Sequence, residues 1–392
     1  MKILAMKILS ITLFSLLALT THLAASASPE SAQTSTTTSS SQLSAALTVK
    51  VTELDLFDHK RQRPVKITLW YPAQENCQDA KICLSEQAVL NKALVFSHGA
   101  MGAAKGYSWI GKMFAAQGYV TVGINHYGES WVYGPEHVNP AAVLQFWERP
   151  VDISFVLDVL QSNQLSEEVL SEAPELSKVS VPSTTSNPSA TVTTANTPNA
   201  LGTVGNSTRI FNQTIAWDQI VAVGHSSGGA TILSMAGSKQ DFNHAATYCA
   251  TAAAAEDRSC HYLKFQTAAN TKGYNPAQSF VDHRIKRIIA LDPALGHATT
   301  AESLQAMAIP VLVIGSSQND FLPYPRHAGY YADTIPAASR LVFSEGEGHF
   351  VYLDRCTHQY QAMGVALCVD RPGIDRTQVQ QKAGAVMLAF IN

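Results

Sequence analysis

Ser226 lies in the segment Gly224-His-Ser-Ser-Gly228, whose residue types and spacing favour nucleophilic chemistry. An apolar, β-branched run at 220–223 precedes this segment, and a helix-favouring run at 230–236 follows it. A strand, a sharp turn and a helix are the context in which a Gly-x-Ser-x-Gly segment presents its hydroxyl clear of the backbone. We therefore predict that Ser226 is a catalytic nucleophile rather than an ordinary serine in a glycine-rich turn.

A serine hydroxyl is a weak nucleophile until a base takes its proton, and the base needs a carboxylate to orient it. We predict that His349 is the base, because it lies in Glu345-Gly-Glu-Gly-His349, a loop that follows a strand-like run at 340–343. Two other histidines downstream of the serine, His327 and His358, are expected to be surface or packing residues.

Two aspartates are candidates for the carboxylate, because each follows a strand-like run. Asp320 follows the run that begins at Pro310, and Asp292 follows the run 288–291 one strand earlier. We favour Asp320 and keep Asp292 as the alternative acid.

The oxyanion of an acyl-transfer intermediate needs two backbone N–H donors. Ser227, the residue after the nucleophile, is expected to supply one. Ala100, in the loop Ser97-His-Gly-Ala-Met-Gly102 that follows a strand-like run at 94–96, is expected to supply the other. His98 is interpreted as a residue that braces this loop rather than as a base.

Strand-like runs alternate with helical ones along most of the chain, and this alternation predicts an α/β fold with a mostly parallel central sheet flanked by helices. Helices are predicted near 107–117, 142–161 and 379–390. Predicted strands lie at 47–56, 64–71, 93–96, 119–124, from 220, and at 285–291, 310–314 and 340–343.

The sequence divides into three regions, and two insertions interrupt the third. Residues 1–27 have the lysines, apolar run and small-residue cleavage site of a secretory signal peptide, although an uncleaved anchor is an alternative. We therefore expect a secreted or periplasmic protein with no stable membrane insertion after cleavage. Residues 28–46 are a Ser/Thr-rich lead-in that we expect to be disordered, and 47–392 form the catalytic domain. Two insertions interrupt this domain: a low-complexity segment at about 171–205 and a helical, cap-like segment at about 240–283.

Six cysteines in an exported chain suggest disulfides, although six cysteines permit fifteen pairings. The expected bridges join close neighbours in sequence: Cys77 with Cys83, Cys249 with Cys260, and Cys356 with Cys368. None of these spacings resembles a zinc knuckle, so no metal and no cofactor are expected.

A net charge of −3 gives no electrostatic reason to expect nucleic acid as a partner, and a small-molecule or lipid-like ester is favoured.

Several segments together resemble a known family. They are Phe96–Gly99, Gly118–His126, Arg149–Asp152, Gly224–Thr231 and Ala290–Asp292. These segments resemble the α/β-hydrolases related to platelet-activating-factor acetylhydrolase and to bacterial dienelactone-hydrolase-like proteins, over most of the chain from about Val51 and outside the two insertions. The resemblance implies an α/β-hydrolase fold and metal-free hydrolysis of esters by a Ser-His-Asp triad. In this resemblance Asp292 matches the acetylhydrolases and Asp320 the bacterial relatives. True dienelactone hydrolases use cysteine where this chain has Ser226.

The leading functional hypothesis is an exported serine hydrolase that cleaves carboxylic esters, with short acyl chains or lipids as substrates, and so has a role in lipid degradation. A serine peptidase or amidase with the same residues is one alternative. A non-catalytic binding protein on a hydrolase scaffold is the alternative from another class.

Overall fold

The computed structural model describes residues 46–170, 207–269, 271–356 and 360–392. The expected signal peptide, nearly all of the lead-in, the low-complexity insertion and His358 lie outside these residues. The described residues contain thirteen strands, numbered in chain order: β1 (Val49–Asp58), β2 (Arg63–Pro72), β3 (Ala80–Ile82), β4 (Ala93–Ser97), β5 (Thr121–Asn125), β6 (Gln164–Leu165), β7 (Thr208–Phe211), β8 (Ile220–His225), β9 (Ile285–Leu291), β10 (Val311–Ser316), β11 (Ser339–Phe343), β12 (Gln361–Ala362) and β13 (Val365–Ala366).

Eight of these strands form one sheet in the order β1-β2-β5-β4-β8-β9-β10-β11. The pairs β1/β2 and β2/β5 are antiparallel, and the other pairs are parallel. The carboxyl ends of parallel strands meet at one edge of a sheet, so the loops after Ser97, His225, Leu291 and Ser316 emerge side by side. This edge is where the predicted catalytic residues converge.

Eight α-helices accompany the sheet in the described residues: α1 (Ser108–Ala116), α2 (Glu148–Ser162), α3 (Glu167–Leu170), α4 (Ser227–Ser234), α5 (Phe242–Cys249), α6 (Ala301–Gln305), α7 (Ala328–Thr334) and α8 (Arg376–Ile391). Short 3₁₀ helices lie at Ala104–Tyr107, Trp131–Tyr133, Pro135–His137, Pro140–Leu144, Ala252–Ala254, Arg258–Phe265, Gly296–Ala298, Tyr324–Arg326 and His349–Tyr352. Three of these helices, α1, α2 and α8, correspond to the predicted ones, but the predicted helix from 142 begins at Glu148, after the 3₁₀ turn at Pro140–Leu144.

The core lies in two layers, one on each face of the sheet. Successive residues of a strand point to opposite faces, so Val95 of β4 belongs to one apolar cluster and Phe96 to the other. Leu157 of α2 packs in the first cluster, and Met387 of α8 packs in the second. Every residue of β4 and β8 is buried, as expected for parallel strands covered on both faces. The predicted α/β sheet flanked by helices is confirmed.

The cap-like segment at 240–283 contains α5 and two 3₁₀ helices, Ala252–Ala254 and Arg258–Phe265. Three disulfides join the cysteines in the expected pairs: Cys77–Cys83, Cys249–Cys260 and Cys356–Cys368. Within the described ranges, no helix is both long and apolar enough to cross a bilayer.

Candidate active site

The turn between β8 and α4 holds Ser226 in a strained backbone conformation. Its φ of 55° and ψ of −120° are rare for a residue with a side chain. A Cβ added to Gly228 would lie 2.0 Å from the carbonyl oxygen of Ser97, and one added to Gly224 would lie 2.3 Å from that of Gly228. Only glycine fits at these two positions, because the turn packs directly on the end of β4. The segment therefore forms the sharp strand-to-helix turn that its sequence predicts.

His349 lies after β11 at the start of a 3₁₀ turn, and its side chain is buried. The ring of Phe321 stacks on its imidazole, with centroids 5.1 Å apart and planes 10° from parallel. The backbone N–H of His349 donates to Oδ1 of Asp320 at 2.9 Å. Both contacts fix the position of the imidazole at the carboxyl edge of the sheet.

Asp292 directly follows β9, and its carboxylate faces the imidazole of His349. Oδ1 accepts a hydrogen bond from the backbone N–H of Ser316 at 3.0 Å. Oδ2 lies 3.7 Å from Nδ1 of His349, is buried, and has no hydrogen-bond partner among the described residues. Asn319 Nδ2 lies 3.4 Å from the same Nδ1. This carboxylate oxygen therefore faces the ring nitrogen, and the amide of Asn319 lies beside both groups.

Asp320 has a different position, because its carboxylate contacts the backbone of His349 rather than the ring. Its other oxygen faces the guanidinium of Arg371 at 3.7 Å. The geometry therefore favours Asp292, the alternative acid of the sequence analysis, over Asp320. The physical reason is that Asp320 lies several residues beyond the end of β10, where the loop turns its side chain toward the backbone N–H.

Hydrogen bonds through His225 link three loops of the site. Its Nε2–H donates to the carbonyl oxygen of His349 at 3.0 Å, and its Nδ1 lies 2.7 Å from the hydroxyl of Tyr107. The same hydroxyl accepts a hydrogen bond from the backbone N–H of Gly99 at 3.3 Å. Two buried side chains thus join three segments: the turn at Gly224–Gly228, the loop that carries His349, and the loop Ser97–Gly102. From their predicted roles we call these segments the elbow, the base loop and the oxyanion loop. Sequence reasoning missed this link, although His225 lies inside the Gly-x-Ser-x-Gly segment.

Ala100 and Ser227, the predicted oxyanion donors, lie on either side of the contact between the loop after β4 and the turn after β8. Ala100 follows β4 in the loop packed against the elbow, and Ser227 is the first residue of α4. In the described part of the chain, no backbone or side-chain acceptor is bonded to either N–H. Both donors are therefore available to a ligand, as the N–H groups in the first turn of a helix generally are.

Buried polar contacts brace the oxyanion loop from behind. His98 contacts the carbonyl oxygen of Gly99 through Nδ1 at 2.7 Å and accepts the backbone N–H of His126 at its Nε2. The guanidinium of Arg149, which is buried on α2, donates to the carbonyl oxygen of His98. Glu129 lies 3.7 Å from this guanidinium. A charged side chain from α2 therefore helps to set the position of the loop that carries Ala100.

Burial dominates the electrostatics of the catalytic pair. It lowers the pKa of the His349 imidazole, and the nearby charge of Asp320 only partly opposes this shift. It raises the pKa of the Asp292 carboxyl, against the hydrogen bonds from Ser316 and Asn319. Since burial disfavours the charged form of the ring, the His349 imidazole is neutral and able to accept a proton.

No hydrogen bond joins the Ser226 hydroxyl to the His349 imidazole within the described residues. The two residues are connected instead through His225, whose ring centroid is 4.5 Å from that of His349. Catalytic hydrogen bonds are often long without substrate and tighten in the complex. A second downstream histidine, His327, is buried beside Asp257 and does not contact the elbow.

A cavity of about 330 Å³ adjoins the outer side of the base loop. Its lining includes Arg258, Asp320, Phe350 and Arg371 but not Ser226. The cavity is therefore separate from the nucleophile, and the reacting ester is not assigned to it.

Two comparisons with known proteins found similarities. The family model for platelet-activating factor acetylhydrolase, isoform II, matches residues 91–253, which include the oxyanion loop and the elbow but end before Asp292 and His349. A solved ferulic acid esterase from Streptomyces cinnamoneus is similar over 88% of both chains, at 16% identity and a TM-score of 0.43. No curated protein matches the chain.

The strand order, the strained serine turn and the family-model match confirm the resemblance at the level of the superfamily. The chain has the α/β-hydrolase fold, and its residues 91–253 are similar to the platelet-activating factor acetylhydrolase family.

Proposed function

We propose that the protein hydrolyses carboxylic esters through an acyl-enzyme on Ser226, with His349 as general base and Asp292 as the orienting acid. The observation that carries this proposal is the contact between Asp292 and His349. The buried Oδ2 lies 3.7 Å from Nδ1 and has no other partner among the described residues. A carboxylate in this position holds the ring and stabilises the imidazolium that forms when the base takes the serine proton.

The proposed cycle assigns each proton. Neutral His349 accepts the Ser226 proton as the hydroxyl attacks the ester carbonyl, and then returns it to the leaving alcohol. A water molecule deprotonated by the same imidazole hydrolyses the acyl-enzyme. Burial keeps the His349 imidazole neutral at rest, so it can accept a proton, and the Asp292 carboxylate would stabilise the imidazolium that then forms.

The N–H groups of Ala100 and Ser227 are proposed to bind the oxyanion. Each such donor is typically worth about 3 to 4 kcal/mol in the transition state. Both N–H groups are unused by the described residues, which supports the assignment. Asp320 is then a positioning residue, since its Oδ1 accepts a hydrogen bond from the backbone N–H of His349.

We also propose that the protein is exported and acts on small or lipid-like esters. Three disulfides support an oxidising compartment. The family whose model matches residues 91–253 is named as an acetylhydrolase of platelet-activating factor, and this name supports short acyl chains as the first substrates to test.

The test is a series of p-nitrophenyl esters of increasing acyl length, run with the matching anilides to separate esterase from amidase activity. We expect turnover on the short esters, and loss of about 10⁶-fold in kcat for Ser226→Ala. Ser234→Ala, at the far end of α4, serves as the matched control and should retain activity. A folded wild-type protein that a fluorophosphonate probe does not label would contradict the proposal.

A further inference from the structure

Three side chains with metal-binding atoms meet outside the catalytic triad. Asp257 comes from the cap-like segment, His297 from the 3₁₀ turn after β9, and His327 from the residue before α7. Their ligand atoms all lie within 4.8 Å of one another. Asp257 Oδ2 is 2.8 Å from Nε2 of His327 and 3.8 Å from Nδ1 of His297. The side chains are 0%, 4% and 1% exposed for Asp257, His297 and His327, so the cluster is built into the protein.

The ion pair between Asp257 and His327 does not account for the whole cluster. Nδ1 of His297 is buried and has no hydrogen-bond partner among the described residues, although it points toward the same carboxylate oxygen. Buried polar atoms in folded proteins nearly always have a partner, and each exception calls for an explanation. A cation bound by all three residues gives this nitrogen a partner.

The donor set identifies the chemical class of the cation. Two imidazole nitrogens and one carboxylate oxygen are typical ligands of Zn²⁺, whereas Ca²⁺ and Mg²⁺ prefer oxygen donors alone. Cys249 and Cys260 also lie near His297, but they are joined in a disulfide and cannot act as thiolates. Three protein ligands leave a fourth position for water.

Tyr248 is placed to bond such a water. Its hydroxyl is buried without a partner in the described residues, and its ring lies 5.1 Å from that of His297. A tyrosine hydroxyl is protonated at neutral pH and can donate a hydrogen bond. When a metal binds Nε2 of His327, the ring proton lies on Nδ1. Nδ1 can then no longer accept the long hydrogen bond, 3.4 Å, from the backbone N–H of Gly296.

We infer that Asp257, His297 and His327 form a Zn²⁺ site that fastens the cap-like segment to the loops beside the catalytic base. The connection to the base runs through the next residue of the chain. The N–H of Arg258 donates to the carbonyl oxygen of Phe321 at 3.0 Å, and Phe321 stacks on His349. A metal that fixes Asp257 therefore also fixes the ring that packs on the base. Zinc binding does not depend on the proposed function. Only the expected effect of zinc on turnover rests on that function.

The experiment measures metal content and thermal stability of the full, purified, disulfide-bonded chain. Elemental analysis after dialysis against Zn²⁺ should find one zinc per wild-type chain. After chelation, Zn²⁺ at 100 times its Kd should raise Tm by about 5 °C, and Ca²⁺ should not raise it. Co²⁺ added to the stripped wild type should give the visible absorption of a four-coordinate site, which needs no variant to fold.

His297→Ala should weaken zinc binding at least 10-fold, while His261→Ala, an exposed histidine of the same segment, should bind as the wild type does. Ser226→Ala should bind zinc normally although it lacks turnover, so the two proposals fail independently. Wild-type protein that takes up neither Zn²⁺ nor Co²⁺, or equal uptake by His297→Ala, would overturn the metal site.

Discussion

His225 donates from Nε2 to the carbonyl oxygen of His349 at 3.0 Å, so the residue before the nucleophile holds the backbone of the base. The elbow and the base loop come from distant parts of the chain, and this bond fixes one against the other. A displacement of either loop would therefore also move the other.

Asp292→Asn should lower kcat by about 10⁴-fold, because an amide cannot hold the imidazole in the correct tautomer or stabilise its positive charge. Asp320→Asn should cost less than about 10-fold, since the amide oxygen still accepts the backbone N–H of His349. Steady-state kinetics on one short p-nitrophenyl ester compares the two variants. A larger loss in Asp320→Asn than in Asp292→Asn would reverse the assignment of the acid.

Tyr107→Phe should reduce kcat about 10-fold with little change in KM. The substitution removes the hydroxyl that bonds Nδ1 of His225, whose Nε2–H holds the backbone of His349. The variant also leaves Nδ1 of His225 buried without a partner, which should lower the free energy of unfolding by about 1 to 3 kcal/mol. Tyr119→Phe is the control, since its hydroxyl bonds Asn392 away from the site. Equal kinetics in both variants would exclude a positioning role for Tyr107.

The thermal stability of the protein should fall as the pH is lowered from 7.5 to 4. Burial lowers the pKa of several histidines below the ordinary value of about 6.5, among them His98, His126, His225 and His349. The unfolded chain therefore binds more protons than the folded one below pH 6.5, and the stability present above that pH is lost toward acid.

Asp292 and Glu129 act in the opposite sense, because burial raises the pKa of both carboxyls, but the buried histidines outnumber them. Calorimetric scans at four pH values test the sign. A Tm that is equal or higher at pH 4 than at pH 7.5 would show that these four imidazoles are not held neutral by burial.

Gly228→Ala should destabilise the fold by more than about 4 kcal/mol or prevent it from forming, because the new Cβ would lie 2.0 Å from the carbonyl oxygen of Ser97. Gly106→Ala is the matched control, since the nearest atom to its Cβ would be 3.8 Å away. Urea denaturation of both variants measures the difference. A Gly228→Ala protein as stable as the control would show that the elbow does not pack on β4 in this way.

The sheet and the sharp turn that carries Ser226 could be predicted from sequence because their signals are local. The buried strands are short apolar runs, and the elbow is a strand, a turn and a helix in continuous sequence. Sequence alone does not show which carboxylate lies nearer to the ring of His349, because Asp292 and Asp320 both follow strands that end at the same edge. Which one reaches the imidazole depends on how each loop turns its side chain. The link through Tyr107 and the group formed by Asp257, His297 and His327 join residues far apart in the chain, and no spacing reveals them.

The three disulfides lie outside the large sheet, and each closes a short loop: before β4, within the cap-like segment, and around the β12/β13 hairpin. None of them ties one strand of the large sheet to another. The eight strands can therefore assemble while all six thiols are still reduced, and oxidation then locks only the periphery. Expression in a reducing cytosol should yield a folded sheet with loose outer loops, which later exposure to air or an isomerase would tighten.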